Sequence, residues 1–230
     1  MTADPMSPSP PPQSAQDGRE LEWQLATDDL GPARRWLSAH PAVDSLRIAP
    51  LAPQRLRDTY LDTADWRIFR GGFALRLRQE GERAEATLKS LHSARADLAD
   101  RREITETLPP HATEFRRLPG PVGAWLRQTL AAQRLQPLFT AQTLRERFEV
   151  HQSGQARPAG EIALDETRLL GPSRALLGDL LRIEVEVRSV EPQALAPLVE
   201  ALRRSCQLTR AAENKFATGV RAAGLSPPHD

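Results

Sequence analysis

Charged and apolar residues alternate with a period of two in several segments of this chain. In LRIEVEVRS, residues 181–189, Glu184 and Glu186 alternate with Ile183, Val185 and Val187. A β-strand directs successive side chains to opposite faces, so the two carboxylates share one face and the apolar residues share the other. Because the pattern recurs along the chain, it predicts a protein built mainly from strands that are apolar on one face.

About eight segments carry this strand signal, and neighbouring segments are spaced like hairpins. FALRLRQE and RAEATLKS form the clearest hairpin, with Gly81 in the turn. The predicted strands are ELEWQLA (20–26), QRLRDTYLDT (54–63), FALRLRQE (73–80), RAEATLKS (83–90), RREITETL (101–108), LRERFEV (144–150), EIALDETRL (161–169) and LRIEVEV (181–187).

Helical spacing occurs in fewer segments. Residues 31–40, 122–133 and 192–207 are predicted helices, and residues 63–72 are predicted to form one or two helical turns, with Thr63 as N-cap and Gly71 just past the end. Strands with hairpin-like neighbours and a few helices predict an antiparallel α+β fold.

The ends of the chain differ from its middle. Residues 1–19 are rich in Pro and Ser and have no apolar stretch, which predicts a disordered tail and no secretory signal. Residues 20–224 are predicted to form one domain, followed by a short tail, 225–230.

Composition limits the environment and the partners. With Cys206 as the one cysteine, no internal disulfide can form, which favours a reducing, cytoplasmic location. No apolar run approaches the roughly 20 residues that span a bilayer. The 31 basic and 30 acidic residues give a net charge of +1, so bulk charge predicts no binding to nucleic acid or to an anionic membrane. Oligomeric state is left open.

The predicted strands are partly sorted by the sign of their charges. Glu20 and Glu22 share a face with Gln24, whereas Arg76 and Arg78 share a face on another strand. Two carboxylates about 7 Å apart repel by less than 1 kcal/mol in water, but by about 2 kcal/mol at an effective dielectric near 20. Two interpretations follow. The charged faces can be solvated around an apolar core, or they can line an enclosed polar lumen in which acids and bases neutralise each other.

Lysine is rare in this chain. Only two of its 31 basic residues are lysines, Lys89 and Lys215, and the rest are arginines. A lysine that persists against this bias indicates a site that favours a compact ammonium group, unless the two are chance survivors.

In this order, the segments ELEWQLA, YLDT, ALRLRQE, TLKS, RREITE, LRERF, ALDET, IEVEV and NKFA resemble the CYTH family, the triphosphate tunnel metalloenzymes. The resemblance extends from about Glu20 to Gly224. It implies an eight-stranded antiparallel β-barrel that forms a tunnel, with helices packed outside, basic residues that bind a triphosphate, and acidic residues that bind a divalent metal ion.

The resemblance also implies roles for individual residues, which stay expectations at this point. The metal ligands are expected to be Glu20, Glu22, Asp165, Glu184 and Glu186. Four of these acids, Glu20, Glu22, Glu184 and Glu186, are expected to serve catalysis. Phosphate is expected to contact Arg76, Arg78, Lys89, Arg101, Arg145, Arg147 and Lys215, with Gln24 where the family usually has a lysine. Glu103 matches a family acid beside Arg101.

The expected activity is a metal-dependent triphosphatase that hydrolyses inorganic tripolyphosphate or a related triphosphate. Carboxylate ligands without a His or Cys cluster favour Mg²⁺ or Mn²⁺. Two alternatives stay open. The tunnel can serve a class IV adenylate cyclase or a thiamine triphosphatase, or Gln24 can mark a module that binds a triphosphate or polyphosphate without hydrolysing it.

Overall fold

The computed structural model describes residues 16–92, 98–109 and 115–227. Eight long strands form its frame: β1 (Gln16–Ala26), β3 (Leu46–Asp62), β4 (Phe73–Glu80), β5 (Arg83–Ser90), β6 (Ala99–Thr107), β7 (Gln136–Gln152), β8 (Gly160–Leu170) and β9 (Leu176–Val187). Two short strands, β2 (Ala42–Val43) and β10 (Thr209–Arg210), pair at the margins with β3 and β1.

The eight long strands close into an antiparallel barrel. Each strand pairs with its neighbour in the order β1, β6, β5, β4, β3, β7, β8, β9, and β9 pairs again with β1. The last pairing places Glu22 opposite Glu186 and Gln24 opposite Glu184. The predicted eight-stranded antiparallel barrel is therefore confirmed, and the acid-bearing first and last long strands lie side by side.

The described residues include five α-helices and a short 3₁₀ helix, Phe115–Arg117. The α-helices are α1 (Gly31–Ala39), α2 (Arg67–Arg70), α3 (Pro121–Leu130), α4 (Pro192–Cys206) and α5 (Lys215–Ala222). Of these described helices, none is both long enough and apolar enough to cross a membrane.

Helices cover the apolar outer face of the barrel on two sides. On one side, Ile183 and Val185 of β9 are fully buried in a cluster with residues of α1 and α4 such as Leu37 and Leu198. On the other side, residues of β4, β5 and β6 pack with residues of α2 and α3, including Ile68 and Leu126. Because the apolar alternates point outward into these clusters, the charged alternates point into the lumen.

The last helix has a different position. Phe216 and Val220 of α5 pack with Tyr60 and Phe139, which belong to the inward-facing series of β3 and β7. Gly219 permits this approach, because a Cβ atom there would lie 2.1 Å from the Phe139 ring. Thus α5 closes one end of the lumen, and Lys215, its first residue, enters the charged interior.

Several boundaries differ from the sequence-based predictions. β1 begins at Gln16 rather than Glu20, and most of the predicted N-terminal tail, residues 1–15, lies outside the described residues. β3 begins at Leu46 rather than Gln54, because a register shift between Leu51 and Gln54 accommodates Pro53 within the strand.

The short helix α2 also differs from its prediction. Its N-cap is Trp66, with a φ of 59°, although the predicted cap Thr63 does accept a hydrogen bond from the Arg67 amide at 3.0 Å. Gly72, with a φ of 80°, takes the left-handed conformation that was expected just past the helix at Gly71.

Candidate active site

The lumen contains a polar cavity of about 290 Å³. This volume lies just below the usual range for ligand sites, which is roughly 300–1,000 Å³, and suits a compact polar ligand. Ten of the residues singled out in the sequence for binding or catalysis line it: Glu20, Gln24, Arg76, Arg78, Lys89, Arg101, Arg145, Glu184, Glu186 and Lys215. Glu103 lines it as well.

Three of the predicted site residues do not line this cavity. Glu22 is 3% exposed and contacts Arg101 behind the cavity wall. Asp165 is fully buried. Arg147 is paired with Glu161, the two side chains being joined by hydrogen bonds of 2.8 and 2.6 Å. Glu22 and Asp165 thus contact residues that line the cavity, Arg101 and Arg145, whereas Arg147 pairs with Glu161, which does not line it.

The acids of β1 are surrounded by cations. Lys89 contacts Glu20, and its ammonium nitrogen lies 3.1 Å from a carboxylate oxygen of Glu103. Burial would raise the pKa of Glu20, but the positive charges of Lys89 and Arg101 outweigh it, so the pKa is lowered. Glu20 therefore stays ionised in the lumen.

Glu22 has the opposite tendency, two residues away on the same strand. Burial and the neighbouring charge of Glu20 raise its pKa to about 8, although Lys89 and Arg101 favour its charged form. The two carboxylates share Lys89 and Arg101 and repel each other, so the pKa of Glu20 is lowered and that of Glu22 is raised.

Gln24 completes the inward face of β1. Its amide nitrogen donates a 2.7 Å hydrogen bond to Glu22, and its side chain lines the cavity. The structure thus places Gln24 on the face shared by Glu20 and Glu22. Where a lysine would carry positive charge to this point, Gln24 provides only a neutral donor.

At the α5 end of the lumen, a second group of charges surrounds Glu184. Arg145 donates two 2.7 Å hydrogen bonds to Asp165 and a 2.5 Å bond to Glu184, and Lys215 donates a 2.9 Å bond to Asp165. Burial would raise the pKa of Glu184, but Lys215 and Arg145 lower it well below its usual range. Asp165 fixes the two cations in position.

Sequence reasoning missed two buried acids. Asp58 accepts two 2.7 Å hydrogen bonds from Arg78, and Glu161 binds both Arg147 and Arg188. Asp58 shares a strand face with Tyr60, and Glu161 shares one with Asp165, so the same period of two that marked the other acids includes both. Each fixes the orientation of a lumen arginine.

A comparison with known families identifies this architecture. The family model described as the CYTH domain matches residues 35–220. The chain belongs to the CYTH domain family. The match confirms the family resemblance read from the sequence.

Solved structures show the same fold at low sequence identity. A candidate adenylate cyclase from Bacillus halodurans matches with a TM-score of 0.60 at 22% identity, covering 87% of this chain and 98% of that chain. A candidate adenylyl cyclase from Hippeastrum, whose dominant activity is that of a triphosphatase, matches with a TM-score of 0.59 at 17% identity, covering 91% and 98%. A Pyrococcus horikoshii protein matches with a TM-score of 0.52 at 15% identity, covering 86% and 96%.

The CYTH lumen of this chain has suitable donors for a hard divalent cation. Glu20, Glu22, Glu184 and Glu186 lie on the inward faces of two adjacent strands, and carboxylate oxygens are the donors that Mg²⁺ and Mn²⁺ prefer. Across the ranges that the structure describes, however, no three His, Cys, Asp or Glu side chains are gathered as for a metal ion. Three of the four acids contact a lumen cation instead, so binding a metal ion requires them to exchange these partners.

Proposed function

We propose that this CYTH domain protein is a metal-dependent triphosphatase with inorganic tripolyphosphate as its preferred substrate. One observation carries the proposal: the small cavity combines six cationic side chains with acids from two adjacent strands. The cations match the charge of a phosphate chain, and the acids supply oxygen ligands for Mg²⁺ or Mn²⁺. The fold shared with the Hippeastrum triphosphatase supports the same assignment.

The phosphate chain is bound by the cations that line the cavity, which are Arg76, Arg78, Lys89, Arg101, Arg145 and Lys215. Buried carboxylates orient several of them: Asp58 fixes Arg78, and Asp165 fixes Arg145 and Lys215. Cations that are oriented before the substrate arrives stabilise developing negative charge without reorganising during the reaction. Asp165 therefore orients Arg145 and Lys215. Its expected role as a metal ligand stays a prediction, and so does phosphate binding by Arg147.

Hydrolysis joins a water oxygen to the terminal phosphorus and breaks the phosphoanhydride bond to the leaving diphosphate. The lumen cations neutralise the charge that grows on the leaving oxygen. Glu20, Glu22, Glu184 and Glu186 would hold the metal ion, which would supply Lewis acidity and lower the pKa of its bound water. Because the lumen strands fix both sets of residues, the phosphate chain and the attacking water meet in one defined orientation.

A second candidate, turnover of an organic triphosphate such as ATP or thiamine triphosphate, is favoured by a separate observation. An open apolar groove of about 540 Å³ adjoins the cavity and shares Leu91, Asn214 and Phe216 with it. Phe69 and Val220 also line this groove. Such a surface suits a flat ring attached to the phosphate chain.

Gln24 favours a third candidate, a module that binds triphosphate or polyphosphate without hydrolysis. The neutral side chain weakens one phosphate contact relative to a lysine. This candidate keeps the binding lumen and differs from the first only in turnover.

Phosphate release separates the three candidates. Tripolyphosphate, pyrophosphate, ATP and thiamine triphosphate are each incubated with the protein, in Mg²⁺ and in Mn²⁺ separately. Fastest release from tripolyphosphate supports the proposal, and faster turnover of a ring-bearing triphosphate supports the second candidate. Binding of tripolyphosphate with no release under either metal supports the third.

Two arginine variants serve as a matched pair. Arg76→Gln removes a charge from the lumen, whereas Arg57→Gln removes one from an exposed position on β3. We expect Arg76→Gln to lose activity and Arg57→Gln to keep it. Equal activity of the two variants would place the reaction outside the lumen and overturn the proposal.

A further inference from the structure

Tyr60 is the one tyrosine of the chain, and its side chain lines the lumen cavity. Its ring is 7% exposed and stacks on Phe139, with ring centroids 4.6 Å apart and planes at 19°. A second ring, Phe216 of α5, lies 5.8 Å away. These contacts fix the ring and leave little freedom in where its hydroxyl lies.

Among the residues that the structure describes, the hydroxyl of Tyr60 makes no hydrogen bond to a protein group. The hydroxyl is not among the buried side-chain atoms that lack a partner, so it borders the open space of the cavity, where a ligand can accept its hydrogen bond. Burial raises the pKa of Tyr60, and the charge of Asp58 adds to the rise. The phenol therefore stays protonated at neutral pH and can donate a hydrogen bond.

Arg76 lies directly across from Tyr60 in the pairing of β3 with β4. Its nearest carboxylate is Glu85, with 3.8 Å between the charged atoms. The Nε of Arg76 is buried and has no acceptor in the described ranges of the chain. The Nη2 of Arg76 donates a 3.4 Å hydrogen bond to Thr87, so an anion at this guanidinium displaces no short ion pair.

The other cations of the cavity are already paired in the part of the chain that the structure describes. Arg78 lies 2.7 Å from Asp58, Arg145 lies 2.7 Å from Asp165, and Lys215 lies 2.9 Å from Asp165. Lys89 and Arg101 contact Glu20 and Glu22. An incoming phosphate group must compete with a close carboxylate at each of these positions, whereas at Arg76 the nearest carboxylate, Glu85, is 3.8 Å away.

We propose that the Tyr60 hydroxyl is a further substrate contact, and that with Arg76 it binds one phosphate group before any metal ion is present. This inference rests on the proposed function, because it takes a phosphate chain as the ligand of the cavity. Tyr60 donates a hydrogen bond and Arg76 adds its positive charge. The two groups act on the same phosphate.

Calorimetric titration of the full-length protein with tripolyphosphate in EDTA tests the proposal. Tyr60→Phe keeps the stacked ring and removes only the hydroxyl. Loss of a hydrogen bond to a charged group should weaken binding about tenfold. The matched control is Thr59→Val, which removes a hydroxyl from the opposite face of the same strand, where Thr59 pairs with Thr140. We expect its affinity to equal that of the wild type.

A double-mutant cycle with Arg76→Gln adds a measurement that a purely structural role would not affect. If both groups bind one phosphate, their effects on affinity should not add. In the metal-loaded enzyme, Tyr60→Phe should raise KM and leave kcat nearly unchanged, because the contact forms in ground state and transition state alike.

Equal affinity of the wild type and Tyr60→Phe for tripolyphosphate would overturn the inference. So would the absence of tripolyphosphate binding to the wild type in EDTA. Neither result concerns metal-dependent phosphate release, so the proposed function stands or fails separately in the hydrolysis assay. A melting temperature for Tyr60→Phe equal to that of the wild type shows that any lost affinity is local.

Discussion

The two faces of β9 are built from adjacent residues and have opposite environments. Ile183 and Val185 face outward and are fully buried beneath helices, whereas Glu184 and Glu186 face the lumen. The outward face is stabilised by apolar burial, and the inward face by charge pairing that a ligand can rearrange. In β9, therefore, the outward-facing residues stabilise the fold, and the inward-facing residues that alternate with them are available for binding.

The largest effect is expected on the outward face. Ile183→Ala should lower the free energy of unfolding by about 3 kcal/mol, because it removes a fully buried side chain and leaves a cavity. Urea unfolding measures the change. Glu186→Gln, three residues away on the lumen face with a side chain 42% exposed, is the control and should change stability by less than about 0.5 kcal/mol. Equal losses of unfolding free energy in the two variants would show that both faces of β9 contribute to stability alike.

Glu186→Gln, which should hardly change stability, should have a large effect on activity. Glu186→Gln removes an expected metal ligand, so phosphate release from tripolyphosphate should fall by at least about tenfold to a hundredfold. Adding Glu184→Gln should abolish metal-dependent release. Full activity in the double variant would contradict the metal-binding role of β9.

The inward face of β1 should make the stability of the protein depend on pH. In the metal-free protein the pKa of Glu22 is raised to about 8, above its ordinary value of 4.5. Folding therefore takes up a proton, and the contribution to stability is complete below the ordinary pKa and is lost as the pH rises toward 8. Urea unfolding from pH 5 to 8 should show the wild type losing stability relative to Glu22→Gln, by at most about 1.4 kcal/mol per pH unit. A slope of the opposite sign would mean that pairing with Arg101 keeps Glu22 ionised.

The smallest effect is expected from Gln24→Lys. A charge-assisted hydrogen bond exceeds a neutral one by about 1 kcal/mol, so tripolyphosphate affinity should rise by somewhat less than tenfold. Affinity and phosphate release are measured side by side at fixed salt and metal. Release that appears only in the variant would support the binding-only candidate for the wild type. No change in either quantity would show that Gln24 does not contact the phosphate chain.

Most of the fold could be predicted from the sequence, because the period of two and the turn residues act locally. The hairpin around Gly81 and the helix beginning at Pro192 are in the predicted places. The first part of β3 was missed, since Pro50 and Pro53 argue against a strand unless a register shift is known. The position of α5 was missed as well, because amphipathic spacing does not specify which cavity a helix closes.

The candidate site was predictable in composition but not in pairing. The alternating pattern placed Glu184, Lys89 and the other inward residues on the same strand faces as their charged neighbours. The family resemblance then implied a role for each of them. The partners of these residues depend on which strands are neighbours, so contacts such as Arg78 with Asp58 could not be deduced from one segment. The free hydroxyl of Tyr60 is visible only when its surroundings are known.

The pairing of β1 with β9 has a consequence for protein synthesis. The lumen needs Glu20 from the beginning of the folded chain, Glu184 from its last long strand and Lys215 from its last helix. During translation, Lys215 cannot join Glu20 and Glu184 until the ribosome has released residues beyond 215. A nascent chain that stops after β6 therefore has the acids of β1 together with Lys89 and Arg101, and it gains the remaining lumen groups only once Glu184 and Lys215 have been made.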